Sequence, residues 1–237
     1  MIPFRDRNPS GAFPYVTIAL IVINVIVFTR ELGQDGRQLQ AFVDTHGLRP
    51  AQVSDLARGS PRAADRAVTI LLPLLTAMFL HAGWLHLIGN MWYLWIFGDN
   101  VEDRLGHFRY LVFYVLCGLG AAVVHVAFNP ESQVPTVGAS GAIAGVLGAY
   151  LVAFPRAEVE TLVPLPFFLP LVISLPAVVV LGLWFVLQLF SGMAATTMVQ
   201  TGGVAWWAHI GGFALGALLL FVFQKPPERR RVYGYRR

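Results

Sequence analysis

The sequence predicts an all-α, polytopic membrane protein built as a bundle of six transmembrane helices, and three observations predict it. Of its 237 residues, 56% are hydrophobic and 13% charged, where a soluble domain carries roughly 25% charge. The apolar residues gather into runs suited to a hydrocarbon layer about 30 Å thick. The charged residues gather at the two ends and in one hydrophilic stretch, residues 30–66. No composition shift marks a second core. The expected organisation is a cytoplasmic segment at 1–12, a six-helix membrane domain at 13–224 with a long external loop near 30–70, and a basic cytoplasmic tail at 225–237.

The first run, residues 13–29, has no small-residue cleavage pattern after it and reads as a retained span rather than a signal peptide. Residues 71–97, 110–128, 167–190 and 204–223 supply four further crossings. Residues 138–154 are shorter and rich in glycine and alanine, as suits a helix enclosed by the others. Six crossings place both ends on one side. Arg5 and Arg7 open the chain, and Lys225, Arg229, Arg230, Arg231, Arg236 and Arg237 close it. The excess of basic residues assigns that side to the cytoplasm. Arg104, Arg109 and Arg156 fall in loops on the same side, whereas loops 129–137 and 191–203, assigned outside, contain no Lys or Arg. The arginines of the first loop run against this trend, as long translocated loops can. The formal charge of +4 therefore reads as orientation in a membrane and not as a nucleic-acid surface. No fixed-period repeat and no inverted pair of broken helices supports a solenoid or a transporter. Cys117, the single cysteine, cannot form an intramolecular disulfide and reads as a packing residue.

Polar side chains inside spans are costly and need a partner or a function. The informative ones are His81, His86, Asn90, Ser140 and His209. Ser140, between Gly138-Ala139 and Gly141, opens the short fourth helix, where free N–H groups and the positive dipole end suit a developing oxyanion. Alone, such a serine could equally be a packing residue or a cap. His209 shares a helix side with Gly212 and Gly216, and the fourth helix offers Gly141, Gly145 and Gly148 to match. Close approach of these two faces brings Ser140 within reach of His209, the nucleophile–base relation of acyl transfer. His86 and Asn90, four residues apart, share one face and can converge on a carbonyl oxygen. His81 is rotated away from that face and suits ordering of the loop–helix junction. His46 and His107 read as loop residues and His125 as interfacial. Trp84, Trp92, Trp95, Trp206 and Trp207 suit interfacial belts or packing. Three histidines could bind zinc in principle, but there is no His-Glu-x-x-His sequence and no acidic residue in the spans to act as its base, so no metal site is expected.

These residues resemble the rhomboid intramembrane proteases, chiefly bacterial members, over about residues 76–216. The resemblance rests on His81 with His86-x-x-x-Asn90, on Val101-Glu102-Asp103-Arg104-Leu105-Gly106, on Gly138-Ala139-Ser140-Gly141, and on Ala208-His209 with Gly212 and Gly216. It implies a six-helix rhomboid-like bundle with Ser140 and His209 as a catalytic dyad in a water-filled cavity opening outward. It implies an oxyanion hole of His86, Asn90 and the Ser140 N–H, with His81, Gly138, Gly141 and Gly212 in support. The implied reaction cleaves transmembrane segments of other membrane proteins without cofactor, metal or nucleic acid, in a bacterial plasma membrane. The alternative is a non-catalytic relative that binds membrane proteins and directs their trafficking. Two departures stand out: the first loop lacks the Trp-Arg pair common in the family, and Ala144 stands where one bacterial branch has a tyrosine stacked on the histidine. With no carboxylate in place, other neighbours must set the orientation and tautomer of His209.

Overall fold

A computed structural model describes residues 2–163, 171–195 and 204–224. The tail at 225–237, loop residues 196–203 and span residues 167–170 lie outside the described residues. In chain order the elements are β1 (Ile2–Asp6), α1 (Tyr15–Leu32), α2 (Gly36–His46), α3 (Pro50–Ala57), α4 (Pro61–Ala64), α5 (Ala67–Leu71), α6 (Pro73–Thr76) and a 3₁₀ turn (Ala77–Phe79). They continue with α7 (Trp84–Leu105), α8 (His107–Phe128), α9 (Ser140–Ala153), β2 (Glu158–Val163), β3 (Leu171–Pro176), α10 (Ala177–Ala195) and α11 (Trp206–Phe223).

The protein is a helical, multi-pass membrane protein. Among the described residues α1, α8, α10 and α11 are each long and apolar enough to cross a bilayer alone, and the bent pair formed by α5 to α7 gives a fifth candidate. Large apolar side chains on the outside, Val222 at 75% exposed and Leu218 at 66%, face hydrocarbon in such a fold. Helix α9 has 14 residues, so it rises about 21 Å and falls short of a full crossing. It is buried continuously from Gly141 to Tyr150, which matches the enclosed position read from its small residues.

The glycine faces explain how α9 can be enclosed. A Cβ at Gly212 would lie 2.0 Å from the Gly141 carbonyl oxygen, and one at Gly216 would lie 2.0 Å from that of Gly145. A Cβ at Gly148 would meet the Phe213 carbonyl oxygen at the same 2.0 Å. The two backbones touch, and hydrogen is the only side chain that fits between them.

Three sequence expectations are corrected. The second span, 71–97, is interrupted: Pro73 cannot continue the ladder of α5, residues 80–83 leave helical geometry, and the chain turns by 75° into α7. Helix α7 then runs on to Leu105 because its polar end is paired. Glu102, 1% exposed, accepts the N–H groups of Val16 at 2.9 Å and Thr17 at 2.8 Å, the Thr17 hydroxyl at 2.8 Å, and bonds His107 Nδ1 at 2.6 Å. The carboxylate thereby caps the start of α1, as its dipole favours. Second, the fifth span starts at Ala177, because 171–176 forms a strand. Strand β2 pairs antiparallel with β1, matching Ile2 to Leu162, and with β3, matching Glu158 to Pro176. Third, the hydrophilic stretch at 30–66 is largely helical. Asp35 caps α2 by accepting Arg37 and Gln38 N–H at 2.9 Å, and Gln38 accepts the Asp35 N–H in return.

The sheet closes the end of the bundle where α7 stops and α8 starts. Trp92 Nε1 donates to the Pro3 carbonyl at 2.7 Å, and the Tyr150 hydroxyl donates to Asp6 Oδ2 at 2.5 Å. Hydrogen bonds from Arg5 at 2.5 Å and Arg7 at 2.8 Å hold the Glu160 carboxyl down at about 2. Burial, reinforced by the charge of Asp99, pushes Asp6 up to about 6 despite its bond from Tyr150.

Candidate active site

The loop before α9 is held from outside the bundle. Leu48 and Thr136 exchange backbone hydrogen bonds at 3.0 and 2.7 Å, and Gly138 N–H donates to the Ala77 carbonyl at 2.8 Å. Gly138 has φ of +126°, a conformation open to glycine and little else. A Cβ there would also lie 2.7 Å from Nε2 and Cε1 of His86. This turn delivers Ser140 as the first residue of α9, where its N–H stands outside the intrahelical ladder.

The contact between α9 and α11 sets Ser140 against His209. Ser140 Oγ lies 2.8 Å from His209 Nε2, and His209 is 9% exposed. The other ring nitrogen, Nδ1, lies 2.7 Å from Gln188 Oε1 on α10. The Trp184 ring, one turn before Gln188, sits 5.9 Å from the imidazole centre. On the far side of Ser140, His86 Nδ1 accepts the Ala82 N–H at 3.3 Å, which leaves Nε2 to carry the ring proton. That nitrogen faces Gly138, one step from the Ser140 hydroxyl. Asn90 Nδ2 donates to the His86 carbonyl at 2.9 Å and retains a second N–H.

Ser140, His209, His86 and Asn90 line one cavity of about 1360 Å³, together with Ala144, Trp184 and Trp206. Gly141 and Gly212 lie behind it in the helix contact, and Gly138 lies beside it. His81 is not brought to the pair. It is buried at the break before α7, where its N–H reaches the Glu31 carboxylate at 3.3 Å and its ring meets that of His86 at 5.1 Å.

Several neighbours escape a reading of the sequence. His125 is buried rather than interfacial and bonds the Thr136 hydroxyl at 3.0 Å, bracing the loop before Ser140. Trp206 borders the cavity, and Trp92 anchors β1 instead of serving only as an interfacial residue. His107 pairs with Glu102. Gln188 carries a visible signal, a single amide in a 19-residue apolar helix, one turn from Trp184 and one from Gly192. Chemically, the cavity holds a hydroxyl in contact with an imidazole, a pair able to pass a proton from oxygen to nitrogen. It also holds the side chains of His86 and Asn90.

Residues 69–226 match the family model of the Rhomboid domain. RHOMBOID-like protein 1 of Arabidopsis thaliana is 26% identical over 239 residues, covering 94% of this chain and 56% of its own. RHOMBOID-like protein 4 of the same plant is 33% identical over 162 residues, 68% of this chain and 35% of its own. The Rhomboid protease GluP of Bacillus subtilis is 42% identical over 78 residues, 33% of this chain and 15% of its own. The chain thus spans little more than half the length of these relatives, or less.

Proposed function

The chain belongs to the rhomboid family, and from that premise we propose that it is an intramembrane serine endopeptidase working through a dyad of Ser140 and His209. The observation that carries this reading is the 2.8 Å contact between Ser140 Oγ and His209 Nε2 inside the cavity at the start of α9. A peptide carbonyl seated there is attacked by Oγ while Nε2 takes the hydroxyl proton. The tetrahedral oxyanion is met by the Ser140 N–H, His86 Nε2–H and the second N–H of Asn90. Collapse of the intermediate breaks the C–N bond as His209 returns the proton to the leaving amine. Water entering by the cavity then hydrolyses the acyl-enzyme, with His209 again as base. Each step uses groups of this chain and one water, so the reaction as written calls for no cofactor or metal.

The substrates in this reading are transmembrane segments of other proteins, entering from the bilayer. The enzyme would sit as a multi-pass protein of a bacterial plasma membrane, with both ends cytoplasmic and the cavity opening outward. Arg5, Arg7, Arg104, Arg109 and Arg156 support this orientation, since all belong to the sheet end of the bundle, away from Ser140. The test is incubation of the purified protein with single-span membrane proteins in lipid. New termini inside or beside the span, blocked by a serine-reactive inhibitor, are expected. Folded protein that binds such segments without cutting them would replace the protease with the trafficking factor.

A further inference from the structure

We propose that Gln188 is a neutral third member of the site, a positioning residue that fixes the tautomer and plane of His209 where other serine hydrolases use a carboxylate. The inference rests on the protease reading and deepens it. An amide oxygen only accepts, so the 2.7 Å contact from Gln188 Oε1 requires the proton on His209 Nδ1. Nε2 is then left with a lone pair toward Ser140 Oγ, 2.8 Å away. Reversing the amide would place N–H groups at Nδ1, drive the ring proton to Nε2 and turn His209 from acceptor into donor toward Ser140. The orientation of one glutamine side chain thus decides whether the base can work.

The helix around Gln188 is arranged to hold it there. Gln188 is 7% exposed in an apolar span, where an unpaired amide is costly. Trp184, Gln188 and Gly192 recur at four-residue spacing and form one stripe toward α11. Trp184 packs on both His209 and Phe213, each at 5.9 Å. A Cβ at Gly192 would already stand 3.2 Å from Ile210, so α10 lies close along the helix that bears His209. The amide replaces the buried charge of an acid with a dipole. It orients the imidazole but does little to stabilise the imidazolium formed during attack.

The test compares wild type, Gln188→Met and Gln188→Glu in lipid with one cleaved transmembrane substrate. A wild-type protein that cuts nothing removes the protease reading itself, and this inference with it. Given cleavage, ¹⁵N NMR of His209 in the folded wild-type protein should show Nδ1 protonated and Nε2 bare; the opposite tautomer overturns the proposal even if a variant does not fold. Gln188→Met should lower kcat about 10²-fold with KM nearly unchanged. That loss is smaller than the roughly 10⁴-fold cost of an exchange that locks the imidazole in the wrong tautomer, because methionine makes no hydrogen bond and leaves both tautomers accessible. Gln188→Glu should retain more activity than Gln188→Met and move the acid limb of kcat/KM to higher pH, since a carboxylate favours the imidazolium. A side chain at 188 that does not reach His209 would leave that limb where it is. Full kcat in folded Gln188→Met, or an unmoved limb in Gln188→Glu, contradicts the proposal.

Discussion

The two ends of the bundle treat polar groups in opposite ways. At the sheet end two buried carboxylates are saturated: Glu102 has four hydrogen bonds, and Glu160 is held by two arginines. At the cavity end the candidate site residues are hydroxyl, amide and imidazole groups with fewer partners, and charged groups at that end, Glu31 and the Arg58–Glu131 pair among them, do not line the cavity. Ser140, His86 and Asn90 line the cavity with one contact each and hydrogen-bonding capacity to spare, and His209 spends its two ring nitrogens on Gln188 and Ser140. Saturation immobilises a group and exhausts its capacity to react, whereas a donor left facing a cavity is available to a substrate. The same α7 spans both regimes, with Glu102 locked at one end and His86 and Asn90 near the other. The α9–α11 contact joins them, since it requires backbone proximity along its length.

Changes to that shared contact should have the largest effect. Gly216→Val places a branched side chain where even a Cβ meets the Gly145 carbonyl at 2.0 Å. We expect a loss of more than about 4 kcal/mol, seen as failure to recover folded protein. Glu102→Ala probes the saturated end alone. Its removal strands the N–H groups of Val16 and Thr17, and should cost about 3–5 kcal/mol in thermal unfolding while activity per folded molecule stays close to wild type. A fall in kcat matching the stability loss would break the division between the ends. Asn90→Ala is the mirror experiment. Loss of an oxyanion donor should lower kcat on the order of 10²-fold, with only about 1 kcal/mol of stability lost with its bond to His86. An effect confined to KM would make Asn90 a binding residue.

The smallest effect is a pH dependence of the docked strand β1. Asp6 has a raised folded pKa of about 6, above the ~3.9 of an unfolded chain, so its contribution improves as pH falls through 6. Glu160 has a depressed folded pKa of about 2, below the unfolded ~4.3, so its contribution is present above that value and is lost as pH falls toward 2. Protection of the β1 amides from hydrogen exchange, corrected for intrinsic rate, should therefore peak between about pH 4 and 5. Asp6→Asn should remove the upper limb only.

What the sequence made legible follows from range and periodicity. The glycines of α9 and α11 repeat at helical spacing within each helix, so the matching faces could be read, and with them the nearness of Ser140 and His209. The cap of α2 is local too, in Asp35 and Gln38, but the polar composition of 30–66 reads as a loop and hides it. The sheet was not, because β1 pairs with a strand over 150 residues later, and such pairing leaves no local pattern. The break at 80–83 is hidden by apolar composition, which is the same on both sides of the turn. Glu102 reads as a loop residue until α1 is seen to begin on its carboxylate. Gln188 stands out as a single amide in an apolar helix, but a lone amide has no periodicity to name its partner, and only the fold shows the ring it touches.

The activation of Ser140 by His209 is tested most directly by mapping where a fluorophosphonate attaches to the folded, lipid-embedded protein. Mass spectrometry of the labelled peptide should place one adduct on Ser140 in the wild type. Labelling should fall by at least about 10³-fold in folded His209→Ala, with the melting temperature lowered by the stranded Gln188 amide. An adduct elsewhere, or labelling of Ser140 at an undiminished rate in folded His209→Ala, would contradict the dyad.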